Sequence, residues 1–107
     1  MSRTPASNPP DPHPGRLRTV HVVVSGTVQG VGFRWACIQV AEDLGLVGRV
    51  RNRSDGDVEV TAQGEPDDVS RLIAWLHRGP RWSQVMDVAV TDLRPGSVRA
   101  RSFDVGY

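Results

Sequence analysis

The chain has 107 residues, 38% hydrophobic and 23% charged, which is enough for one domain with a modest core and leaves no run near the roughly 20 apolar residues of a membrane span. Thirteen basic residues against twelve acidic ones give a formal charge of +1, which supplies no global field for nucleic acid or anionic lipid, so any anion site has to be local. The single cysteine, Cys37, excludes an intrachain disulfide.

Residues 1–16 hold five of the eight prolines (Pro5, Pro9, Pro10, Pro12, Pro14), and Met1 and Ala6 are their only apolar non-proline residues. Such a segment cannot contribute to a core, and a disordered Pro-rich tail is expected there, ahead of one domain over 17–107. His13 stands alone among the prolines and makes no metal site. The opening Met-Ser-Arg-Thr-Pro lacks the apolar centre of a signal peptide, so the expected location is cytoplasmic.

Thr19 to Ser25 is dense in valine and reads as a central strand. The turn Ser25-Gly26-Thr27-Val28-Gln29-Gly30-Val31-Gly32-Phe33-Arg34 follows. From Phe33 to Leu44, Phe33, Cys37, Val40, Ala41 and Leu44 form one apolar helical stripe, with Gly45 at its C-terminal stop. Val47–Arg53 and Asp57–Gln63 flank Ser54-Asp55-Gly56 as a β-hairpin, in which Val58, Val60 and Ala62 alternate with Glu59, Thr61 and Gln63. Pro66, Asp67 and Asp68 mark a helix start; Val69, Leu72, Ile73 and Leu76 are its apolar face, and Gly79-Pro80 stops it. Ser83–Leu93, alternating Met86, Val88 and Val90 against polar neighbours, and Ser102–Tyr107 complete the set as strands. The order β-α-β-β-α-β plus a short C-terminal strand predicts an α+β fold, a ferredoxin-like α/β sandwich with two helices on one face of a mainly antiparallel sheet.

That fold serves many functions, so the site must choose among them. Glycines in the turn after the first strand let the backbone take positive φ and let a ligand approach the main chain closely. The N–H groups of Val28, Gln29, Gly30, Val31, Gly32 and Phe33 can then converge on phosphate oxygens, and Arg34 adds a planar fork of donors. Taken alone, such a loop can equally serve only to turn the chain. Asn52 lies near the C-terminal end of the second strand, at the sheet edge where the first helix begins, and strand alternation sets Val50 and Asn52 on one face with Arg49, Arg51 and Arg53 on the other. An asparagine at a strand end is more commonly a turn former.

Other chemistries lack parts. Cys37 sits on the apolar helix stripe as a core thiol, His21 and His77 fit surface or helix-end roles, and no metal set is evident in the sequence. The loop lacks the lysine followed by serine or threonine of a nucleotide-binding P-loop. Trp35, Trp75 and Trp82 read as packing or surface aromatics, and the central strands offer valine and threonine rather than the aromatic platform of an RNA-binding sheet.

Four separated stretches, Gly26 to Arg34, Leu44 to Asn52, Asp55 to Val60 and Gln63-Gly64, together with Gly79-Pro80 and Phe103 to Tyr107, resemble the acylphosphatase family over about residues 19 to 107. The resemblance implies a hydrolase that splits acyl phosphates into a carboxylate and inorganic phosphate by water attack on phosphorus, with no metal, cofactor or covalent intermediate. It implies Arg34 as the phosphate-binding arginine and Asn52 as the residue that positions the attacking water. The implied partner is the small acyl phosphate; the near-neutral charge leads us to expect no nucleic acid or membrane partner, and a monomer is expected. Arg49 departs from the family pattern, which often has an aromatic residue there; altered surface packing is expected from it.

Overall fold

A computed structural model describes residues 16–106. Residues 1–15, which hold nearly all of the expected tail, and Tyr107, the last residue of the expected final strand, lie outside the described residues. The elements run β1 (Arg18–Thr27), α1 (Phe33–Asp43), β2 (Val47–Asn52), β3 (Val58–Gly64), α2 (Pro66–Arg78), β4 (Gln84–Leu93) and β5 (Phe103–Val105). They form a five-stranded sheet in the order β4-β1-β3-β2-β5, with every neighbouring pair antiparallel except β2 and β5. This is the ferredoxin-like arrangement with one added parallel edge strand.

Period-two alternation explains which face is covered. Val20, Val22 and Val24 of β1, Val50 of β2 and Val58, Val60 and Ala62 of β3 are buried in one cluster with Phe33, Cys37 and Ala41 of α1 and Val69, Leu72 and Leu76 of α2. Both helices therefore lie on the same side of the sheet. Cys37 is wholly buried among these side chains, and burial pushes its thiol up to about 12, so it is an inert packing residue. The C-terminal end of α1 closes with Gly45 N–H donating to Glu42 O and Leu46 N–H to Ala41 O, a paired arrangement that satisfies two end carbonyls.

The structure departs from the sequence reading on β4 and on the open face of β3. Met86 is 80% exposed and Val90 is 38% exposed, while Val85 and Val88 pack against the core. For Met86 the cause is a register shift: Ser25 pairs with Asp87 but Gly26 pairs with Val85, so Met86 bulges out and the alternation changes phase there, whereas Val90 keeps the phase of Val88 on the outermost strand of the described sheet. Gln63, read as a solvent-facing position, is only 7% exposed. The connection between β4 and β5 crosses over it, and Gln63 accepts from Val98 N–H (3.0 Å) and donates to Val98 O (2.9 Å). Thr19 Oγ1 donates to Gln63 Oε1 (2.8 Å) and accepts from Gly96 N–H (3.1 Å).

Candidate active site

The segment joining β1 to α1 is fastened at three points. Val28 and Phe33 are both 1% exposed, and the Phe33 ring packs on Trp75 of α2 with centroids 5.6 Å apart. Between them the Gln29 side-chain amide donates 2.8 Å hydrogen bonds to the carbonyls of Arg53 and Asp57, which ties the loop to the β2–β3 hairpin. Gly30 and Gly32 take φ of 74° and 78°, where a side chain would strain the backbone, and nothing lies within 4 Å of a Cβ built on either. The two glycines are thus required by backbone conformation, not by crowding.

Gly32 is the N-cap of α1 and supplies no side-chain cap. The first helical turn has no intrahelical acceptors for its N–H groups, so the amides around Phe33 and Arg34 present partial positive charge at the helix start. Arg34, half-buried, stands in that turn, and among the described residues it has no carboxylate partner.

An open pocket of about 370 Å³ lies against this helix start. Val28, Gly30, Gly32, Phe33 and Arg34 line one side of it, and Asn52, at the end of β2, faces it from the sheet. Arg34 and Asn52 therefore share one cavity, as parallel β1 and β2 directions and the alternation in β2 require. Gln29 and Val31 are not among the lining residues; Gln29 spends its side chain on holding the loop.

Asn52 Oδ1 is buried and has no hydrogen-bond partner among the described residues. A buried amide oxygen without a partner costs on the order of 1–3 kcal/mol, and Asn52 carries that cost at the pocket wall. Nearby, on the opposite face of the sheet, Glu59 pairs with His21 Nε2 (2.8 Å) and with Arg51. The hydrogen bond from His21, then the Arg51 guanidinium, hold the Glu59 carboxyl below the usual carboxylate value against the opposing effect of burial. That ion-pair group belongs to the open face and leaves the pocket uncompensated. Among the described residues no group of three or more His, Cys, Asp or Glu is placed to hold a metal ion.

Sequence reasoning missed the second half of the pocket wall, which is Trp35, Ile38 and Val105. Trp35 and Ile38 were legible in principle as the i+1 and i+4 neighbours of Arg34. Val105 was not, because only the parallel pairing of β5 with β2 brings it there.

Compared with known proteins, residues 20–105 match the acylphosphatase family model. An acylphosphatase of Bifidobacterium longum is 51% identical over 85 residues, covering 79% of this chain and 88% of the relative. Among solved structures, an acylphosphatase from Coxiella burnetii superposes with a TM-score of 0.80 at 37% identity, covering 91% of this chain and 100% of that one. The Bacillus subtilis acylphosphatase also gives a TM-score of 0.80, at 33% identity over 84% of this chain and 99% of that one.

Proposed function

The chain belongs to the acylphosphatase family of acyl phosphate hydrolases, and from that premise we propose that the pocket between Arg34 and Asn52 binds the phosphoryl group and directs water onto phosphorus. The observation that carries this reading is the unpartnered Oδ1 of Asn52 in the same cavity as an arginine and a helix start.

The loop amides of Gly30, Gly32 and Phe33 and the Arg34 guanidinium hold the phosphoryl oxygens, and their positive potential offsets the charge that gathers there in the transition state. Asn52 Oδ1 accepts a hydrogen bond from the water and turns its oxygen lone pair toward phosphorus. Asparagine is no base at neutral pH, so its contribution is orientation. The water oxygen bonds to phosphorus, the bond from phosphorus to the bridging oxygen breaks, and that electron pair leaves as the carboxylate. A phosphoryl oxygen takes the proton from water, and the products are carboxylate and dihydrogen phosphate. The leaving group is already stable as an anion, so no protein acid is needed, and none lines the pocket. The reaction so drawn uses no metal and no covalent intermediate.

The test is steady-state phosphate release from acetyl, benzoyl and carbamoyl phosphate, with and without a chelator. Turnover that ignores the chelator is the expected result. Failure to hydrolyse any of the three, or activity lost to the chelator, would overturn it.

A further inference from the structure

The pocket is larger than a phosphoryl group needs, and its two halves differ in chemistry. At about 30 Å³ per water, its roughly 370 Å³ equals about a dozen waters, whereas a phosphoryl group is one phosphorus with three oxygens. The polar half is Gly30, Gly32, Arg34 and Asn52; the other half is Trp35 and Ile38 on α1 and Val105 on β5. Trp35 and Ile38 are three residues apart on a helix, so their side chains are neighbours on one face, and Arg34 precedes Ile38 by four on that same surface. Their ledge starts beside the guanidinium.

Trp35 is 70% exposed, a large indole left in solvent at the rim of a pocket, while Phe33 two residues earlier is fully buried. Unlike an indole elsewhere on the surface, one at a pocket rim offers apolar area to whatever the pocket binds. With the phosphoryl group on the loop amides, the atoms that extend from the bridging oxygen have the ledge on one side and Val105 on the other.

The geometry points to Trp35, with Ile38 and Val105, as the acyl-binding wall, selecting acyl phosphates with an aromatic or extended apolar acyl group over acetyl phosphate. This assignment rests on the hydrolytic reading above. Flat acyl groups gain from stacking on the indole, whereas an acetyl methyl reaches little of it. Carboxylate-bearing acyl groups gain nothing, because no side chain of the ledge is basic.

The experiment compares kcat/KM for benzoyl and acetyl phosphate in the wild type, Trp35→Ala, Trp35→Phe and Trp82→Ala, with inhibition by inorganic phosphate measured alongside. Expected is a benzoyl-to-acetyl ratio well above one in the wild type, a fall of about tenfold in that ratio in Trp35→Ala, and its recovery in Trp35→Phe. Trp82, 74% exposed and outside the pocket, controls for loss of any surface indole and should leave the ratio alone. Phosphate carries no acyl group, so its inhibition constant should be the same in Trp35→Ala as in the wild type. A ratio unaltered by Trp35→Ala, or altered as much by Trp82→Ala, overturns the acyl wall while leaving hydrolysis standing. A wild type inert toward both substrates overturns the hydrolytic reading, and the acyl wall with it.

Discussion

In the mechanism we propose, Arg34 supplies charge to the pocket and Asn52 supplies direction, so truncating each should damage a different measured quantity. Arg34→Ala removes the guanidinium fork and should weaken inhibition by inorganic phosphate and lower kcat/KM by about a hundredfold, close to 3 kcal/mol. Inhibition equal to wild type would show that the loop amides suffice. Asn52→Ala should lower kcat by a similar factor while phosphate still inhibits, and the denaturation midpoint should hold or rise because a buried unpartnered acceptor is gone. Near-normal turnover would remove Asn52 from the mechanism. Both residues were legible in the sequence because β1 and β2 must run parallel in this topology and because Asn52 shares a face with Val50. The third residue-scale expectation concerns acid. Glu59 faces His21 from β1, Arg51 from β2 and Arg53 at 3.9 Å, and its carboxyl is held below the ordinary 4.5. A depressed carboxylate stabilises the fold above its unfolded value, and that contribution disappears as pH falls through the lower folded value. Glu59→Gln should therefore be less stable than wild type near neutrality, with the gap closing below about pH 4.5; urea midpoints taken from pH 7 to pH 3 would check it, and a gap independent of pH would contradict it.

At the scale of elements, local periodicity reported helices and strands well and contacts between distant segments poorly. The stripe Phe33, Cys37, Ala41 and the stripe Val69, Leu72, Leu76 are buried as their spacing requires. The bulge at Met86 could not be read, since it depends on how β4 pairs with β1 and not on β4 alone. The N-cap of α2 was also unread: Glu65 accepts from the amides of Asp67 and Asp68, a task more often given to a shorter polar side chain. Gln63 is the strongest case. Its partners Thr19 and Val98 lie 44 and 35 residues away in the chain, so no local pattern could mark it as a buried clasp. Gln63→Ala should lower stability by about 2 kcal/mol through the three hydrogen bonds of its amide, measured by denaturant unfolding. A midpoint equal to wild type would mean that the β4–β5 connection seats without it.

For the whole molecule, the core side chains among the described residues lie between Val20 and Phe103, and the pocket residues between Val28 and Val105. Removal of residues 1–15 should accordingly leave Tm and kcat/KM for an acyl phosphate unchanged. A Tm lowered by several degrees would show that the segment contributes to the folded domain. The apolar half of the pocket was only partly legible: Trp35 and Ile38 follow from the helical neighbours of Arg34, but their meeting with Val105 is a product of the whole chain, joining the second residue after Phe33 to a three-residue strand some seventy positions later.

Among the described residues, the sheet order leaves β4 with one unpaired flank along ten residues, while β5 shields β2 on the far side. A long bare flank invites another chain to add itself there. Two exposed aspartates, Asp87 and Asp92, stand on that strand, and the outward kink at Met86 interrupts its line. A second copy docking strand against strand would have to seat beside Asp87 and the Arg18–Asp92 pair and match an irregular backbone, which disfavours pairing along that edge.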